Sequence, residues 1–406
     1  MRDPFEGRFE ARRTAAVVLA VVAGLLVLGV LKPSVLGTIA VLFGIILMIM
    51  LHEAGHYFTA KWSDMKVTEF FLGFGPRLWS VRRGETEYGV KAIPAGGYVR
   101  IVGMHNLEEV EPEDEPRTYR SKPYHNRLMV AVAGSVTHFL LAIVMLFAIF
   151  AFIGVPETLP VVGRLVEGAP AAAAGIQEGD RVVSVAGERV EEWRDVLGIV
   201  SDFEPGARVV VTVERDGERL EIPVVTAQHP DVDDERVAFL GVGPEVVDRT
   251  EPLPEAAGKA VADTATIARE SLLAVGRFFT PSNLSSYTES LTGAEEPSDD
   301  TRFLSPVGAT QVASQAVEEG IREVLTFLAL INIFVGVFNM LPVPPFDGGH
   351  VAIATYEKIA SMVKGRPVQV DMAKIMPVAA LVVAVLLFIG ISALWLDIVR
   401  PVDVGF

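Results

Sequence analysis

The stretch His52-Glu53-Ala54-Gly55-His56 closes an apolar run at residues 35–51, and it constrains the chain more than any other feature. Residues four apart lie about one turn along the same helical face. Both imidazoles of an HExxH motif can therefore reach one metal ion, with the intervening Glu directed at a water on that ion. Ionisable groups inside a bilayer-crossing segment are expensive and mark a functional site. A pair of core histidines beside a buried Glu is the competing reading. It needs polar partners that the run 35–51 does not offer.

Composition narrows the chemistry. Half of the 406 residues are hydrophobic, which fits a membrane protein carrying a soluble insert. The chain has no Cys, so a transition metal must be held by His, Asp or Glu. The net charge of −16 is concentrated in residues 154–321, which hold 31 acidic and 13 basic side chains. No basic footprint for nucleic acid survives that balance, and nucleic acid is not an expected partner.

Hydropathy predicts about five transmembrane helices. Residues 14–31 form an apolar stretch behind an arginine-bearing start and are read as an anchor. The alternative, a cleaved signal peptide, needs a small-residue cleavage site that does not follow. Further spans are expected at 35 to about 60, 128–153, 324–341 and 377–396. Between the second and third, β segments at 66–74, 77–83, 86–93 and 96–102 are separated by Gly and Pro turns, and the acidic stretch 108–115 reads as a solvated loop. Residues 156–225 read as a compact α/β module with a hairpin across Asp216-Gly217. An amphipathic helix is expected at 255–279, with Val261, Ala265, Ala268, Leu272, Val275 and Phe279 as its apolar stripe, and a mobile loop at 281–301.

Segments 1–13, 61–127 and 351–374 share one side of the membrane and carry 19 Lys and Arg residues, which makes that side cytosolic. The acidic module is then exported. With this topology the HExxH motif and Asp347 come from different spans to the same membrane depth. A His, His, Asp set supplies the three protein ligands of a catalytic zinc and leaves a position for water. The prolines at 342, 344 and 345 stop the helix there, and Gly348-Gly349 permit tight backbone geometry. Capping of a following helix is the other reading of Asp347.

His-Glu-Ala-Gly-His in a membrane helix, the exported module with Gly175-Ile-Gln-Glu-Gly-Asp-Arg-Val182, and Asn339-Met-Leu-Pro-Val-Pro-Pro-Phe-Asp347-Gly-Gly349 together resemble the site-2 protease family of intramembrane zinc metalloproteases. Gly-Phe-Gly-Pro at 73–76 and Pro-Ala-Gly-Gly-Tyr at 94–98 fit its bacterial branch. The resemblance implies a polytopic α-helical membrane protein with a membrane-associated β-sheet and one exported PDZ-like module. The implied parts are an anchor at 1–34, a protease core at 35–153 and 322–406, the PDZ-like domain at 154–227, and an exported linker at 228–321. It implies Zn2+ held by His52, His56 and Asp347, with Glu53 as the base and Asn339 contacting the substrate backbone. The sheet at 66–102 could hold an unwound substrate strand by main-chain pairing; Gly73, Gly75, Gly96 and Gly97 fit close backbone approach there, and plain turn chemistry explains them nearly as well. The implied substrates are single-pass membrane proteins in the lipid bilayer, such as anti-sigma factors already trimmed by another protease.

The chain departs from the family pattern where Gly134-Ser-Val-Thr-His138 replaces Gly-Pro-x-x-Asn. His138 is expected to hydrogen-bond within the bundle rather than to act as a fourth ligand. The module can bind peptide tails or filter substrates by size. A catalytically silent PDZ-bearing scaffold is the alternative function, but a silent site has no reason to keep Glu53.

Overall fold

The computed structural model describes residues 33–104, 108–228, 237–293 and 302–401; the anchor expected at 14–31 lies outside them. Among the described residues, those up to Ala148 and from Ala257 onward form one compact unit, and those of Ile149–Ala256 form a second. Among the described residues four helices are long and apolar enough to cross a membrane: Gly37–Trp62, Tyr124–Ile153, Ile321–Asn339 and Met372–Val399.

The first unit opens with α1 (Pro33–Trp62), then β1 (Val67–Arg83), β2 (Thr86–Ile101) and α2 (Tyr124–Ala148). Both long strands fold back on themselves, as the Gly and Pro turns require. Phe70, Phe71 and Leu72 oppose Val99, Tyr98 and Gly97 on one flank and Tyr88, Gly89 and Val90 on the other. Residues 79–83 then pair with 86–90. The four expected β segments are thus one sheet, with 97–101 along an edge. Ala60, Met65, Val67, Ile101, Tyr119 and Val130 form a buried cluster that seats the sheet on α1 and α2. The acidic loop is tied back: Glu108 accepts from Gly103 N–H, and Asp114 pairs with Lys66. The helices cross closely because Gly55 has no side chain; a Cβ there would lie 2.8 Å from the Ala133 carbonyl oxygen.

The second unit holds β3 (Val155–Leu165), α3 (Pro170–Ala174), β4 (Arg181–Val185), β5 (Glu188–Arg189), α4 (Trp193–Ser201), β6 (Arg208–Arg215), β7 (Glu218–Val225), the short pair β8 (Ala227–Gln228) and β9 (Ala238–Phe239), and β10 (Val242–Arg249). The antiparallel sheet runs β10-β3-β4-β6-β7, with β5 beside β4. Alternation along β6 sends Val209, Val211 and Val213 into the core, where they join Trp193 and Val196 of α4. Asp216 and Gly217 adopt φ of +53° and +82°, as a two-residue hairpin turn demands. β10, taken from beyond residue 227, completes the sheet by pairing with β3.

The chain then returns to the first unit with α5 (Leu253–Phe278), α6 (Pro281–Thr292), α7 (Pro306–Glu319), α8 (Ile321–Asn339), α9 (Asp347–Lys364) and α10 (Met372–Val399). Three expectations are corrected. Residues 281–292 are helical rather than loop, because Pro281 occupies the first helical turn, Gly293 closes the C-terminus and Tyr287 is buried. The buried face of α5 carries Ala256, Ala260 and Thr264, whereas Val261, Leu272 and Phe279 of the expected stripe stay exposed. α10 begins before Pro377, since a proline in the second turn removes only one backbone bond and Asp371 caps the start at Ala373 N–H. α7, unforeseen in the sequence, packs Val312, Ala313 and Ala316 against Val41 of α1 and Phe327 of α8.

Asp180 is a buried charge of the second unit and accepts from Arg215 Nε and Nη2 at 2.7 Å each and from Gln177 N–H at 2.8 Å. Burial on its own would raise its pKa, but the Arg215 guanidinium and the Gln177 amide outweigh it and hold the carboxyl below the ordinary value. The stabilisation is therefore present above about pH 4, the unfolded carboxylate value, and is lost as pH falls through the lower folded one. Hydrogen-exchange protection across residues 149–256 should fall below about pH 4 in the full chain. Asp180→Asn should lose protection already at pH 7. Equal protection in both chains at pH 7 would contradict the assignment.

Candidate metal centre

The second half of α1 carries both histidines on the face that meets α2. His52 and His56 are each only 7% exposed. Their Nε2 atoms stand 3.1 Å apart. Asp347, in the first turn of α9, brings Oδ2 to 3.3 Å from His52 Nε2 and 3.2 Å from His56 Nε2. His52, His56 and Asp347 offer one ligand atom each, all within 4.8 Å of one another. The capping alternative for Asp347 fails: Phe346 holds the N-cap position and no side chain caps this helix.

Local chemistry fixes how these groups point. His56 Nδ1–H donates to the Val130 carbonyl at 2.7 Å, which leaves its Nε2 lone pair facing the other two donors. Asp347 Oδ2 is buried without a hydrogen-bond partner. Two imidazole nitrogens and an orphaned carboxylate oxygen converging in a buried space fit a divalent cation of the zinc type, which prefers such N/O donors in tetrahedral array. Gly348 and Gly349 place Asp347: a Cβ on Gly348 would lie 2.3 Å from the Met340 carbonyl oxygen, and one on Gly349 2.8 Å from Pro344 N. Only bare glycines let the first turn of α9 seat on the proline loop.

Glu53 lies beside the group, against the edge of the sheet. A Cβ on Gly97 would sit 3.2 Å from Glu53 Cγ. Of the four glycines singled out in the sequence, Gly97 alone meets Glu53. Gly73, Gly75 and Gly96 adopt φ of +85°, +81° and +137° and shape the fold-back of the strands. Asn339 is the last residue of α8 and half-buried. Beside the sheet edge a cleft of about 770 Å3 is lined by Val99, Ile101, Pro345, His350, Met372 and Met376, among others.

His138 stands outside the cluster of His52, His56 and Asp347. Its Nδ1–H donates to Asn332 Oδ1 at 2.8 Å, and its ring centroid lies 4.8 Å from that of His52. Asn332 is fully buried and donates in turn to the Leu328 carbonyl and to Met48 Sδ, which ties α1, α2 and α8 together one turn from the histidines.

Two site residues escaped sequence reasoning. Asn332 was hidden in an apolar span, where a buried amide is the available signal. Gly134 was visible only as part of a motif, yet a Cβ there would lie 2.5 Å from the Nε2 atoms of both histidines.

Residues 40–389 match the profile of Peptidase family M50. The chain belongs to peptidase family M50. It is 30% identical over 404 residues to the zinc metalloprotease Rip1 of Mycolicibacterium smegmatis, covering 91% of this chain and 98% of that one. The same figures hold for Rip1 of Mycobacterium tuberculosis. A putative zinc metalloprotease of Clostridium acetobutylicum is 28% identical over 363 residues, covering 89% of this chain and 96% of that one. Among solved structures, the PDZ domain of an SdrC-like protein from Listeria monocytogenes is similar at 13% identity, with a TM-score of 0.19 over 21% of this chain and 84% of that one. The chain is a zinc metalloprotease of the membrane, with Zn2+ as its cofactor.

Gly134→Ala tests the packing of this centre. A methyl group at 2.5 Å from two nitrogens must displace α2 or the imidazoles. Zinc affinity should drop at least tenfold or so, the scale on which disturbed ligand surroundings act. Unchanged zinc content after dialysis against chelator would show that α2 does not bear on the histidines.

Proposed function

We propose that the chain hydrolyses peptide bonds of single-pass membrane proteins within the bilayer, with His52, His56 and Asp347 holding zinc and Glu53 as general base. The observation that carries this reading is the close approach of Gly97 to Glu53. It sets a sheet edge, able to hold an extended peptide, directly against the proton acceptor.

Bound zinc supplies Lewis acidity that lowers the pKa of a water toward 7 and polarises a carbonyl. Glu53 takes the proton from the attacking water and delivers it to the leaving amine. A substrate helix has its backbone closed on itself and must unwind before a bond can be cut. Segment 97–101 offers main-chain partners to the unwound strand, and the cleft lined by Met372 and Met376 receives its side chains. Gly97 permits close approach there, while Asn339 contacts the substrate backbone beyond the proline loop.

The same proposal includes a five-span topology with an anchor at 14–31, a cytosolic N-terminus and site loops, and an exported PDZ-like module. Support comes from the 19 Lys and Arg residues on the cytosolic segments and the acidic excess of 154–321. The module acts on substrate access rather than on chemistry, since no member of the ligand group belongs to it. Substrates of the anti-sigma class, trimmed by an earlier protease, fit a module used in this way.

Glu53→Gln is the direct test. The change keeps size and both imidazoles, so zinc should remain bound, while loss of the base should lower the cleavage rate by about two to four orders of magnitude. A photo-crosslinker at Tyr98 or Arg100 of that variant should capture an uncut single-pass substrate. Cleavage at the wild-type rate would remove Glu53 from the mechanism.

A further inference from the structure

The two halves of the metal group sit on α1 and α9, yet these helices scarcely meet; each packs along α2 instead. The first turns of α2 touch both halves. Val130 holds His56, and Gly134 abuts both imidazoles. One turn before Val130, Arg127 Nη1 donates to Glu357 Oε2 of α9 at 2.7 Å, with the two side chains only 14% and 11% exposed. The hydroxyls of Tyr124 and Thr355 meet at 3.2 Å across the same interface. The other Glu357 oxygen accepts from Val370 N–H at 2.7 Å, so the carboxylate is held from two sides. The Arg127 guanidinium lies over the Tyr119 ring at 5.1 Å, and that ring stands edge-on to His350, one turn beyond Asp347.

We infer that Arg127 and Glu357 are positioning residues whose buried ion pair sets the register of α9 on α2, and through it the distance of Asp347 from His52 and His56. The inference rests on the reading of those three residues as zinc ligands. Magnitudes favour a geometric role over a stabilising one. A buried ion pair is offset by the desolvation of both partners and adds little net stability. A slip of α9 by one residue is a shift of about 1.5 Å, which is large beside a zinc–oxygen distance of about 2 Å. Directionality is what an apolar contact of equal volume lacks.

The test uses the full chain in detergent, with two readouts: the rate at which zinc passes to a chromogenic chelator, and the visible absorption of the cobalt-loaded protein. Glu357→Gln retains an oxygen for Val370 N–H but loses the charge. It should release zinc about tenfold faster and weaken the tetrahedral cobalt bands. The double change Arg127→Met with Glu357→Met fills the site with apolar volume and keeps the fold. It should release zinc equally fast while the metal-free protein keeps its wild-type Tm. Wild-type release from both the Gln and the Met chains would overturn the inference. Asp347→Ala is the control that separates the two levels. If it keeps zinc as tightly as wild type, the ligand reading falls and the inference with it; if it loses zinc while the other variants do not, the positioning claim alone falls.

Discussion

Everything in the membrane unit answers to one electrostatic problem: two imidazole nitrogens and a carboxylate oxygen held 3.1–3.3 Å apart in a buried place. Lone pairs converging in this way repel one another unless a cation sits among them. The hydrogen bond from His56 Nδ1 to the Val130 carbonyl commits that ring to present its lone pair, and Asp347 Oδ2 has no other partner. A cation of the zinc type would resolve the repulsion, and family membership independently gives zinc as the cofactor.

Holding such a group requires backbones to approach more closely than side chains allow. Glycine does this at each contact: Gly55 and Gly134 between α1 and α2, Gly97 between the sheet edge and Glu53, Gly348 and Gly349 under Asp347. In lipid, helix association gains no hydrophobic term, so close packing of this kind and buried hydrogen bonds carry the assembly. The His138–Asn332–Met48 chain is such a bond network, and it lies one turn from the ligands. It also accounts for the departure from the family pattern at His138, whose imidazole finds an amide partner on α8 instead of a metal.

The parts legible in the sequence were those whose geometry is fixed by local spacing. Two histidines four apart define a helical face, and the depth argument brought Asp347 to them from a distant span. The four β segments were delimited by their turns, and Asp216-Gly217 marked its hairpin. What escaped depends on partners far along the chain. Gly134 begins a recognisable motif, but its contact with both imidazoles appears only when α1 is laid across α2. Residues 281–292 carry Ser and Asn, which favour loops locally, and fold as a helix because Tyr287 finds Phe278 and Ser392. The outward stripe of α5 shows the same limit: periodicity identified the helix but not the face it buries.

X-ray absorption at the zinc edge of the purified full-length protein bears most directly on this account. Two imidazole nitrogens and two oxygens, one from Asp347 and one from water, are expected at about 2.0–2.2 Å. Asp347→Ala should leave most of its zinc behind on the same purification. A third imidazole in the wild-type shell, or full zinc occupancy in the Asp347→Ala protein, would contradict a centre assembled from the HExxH helix and α9.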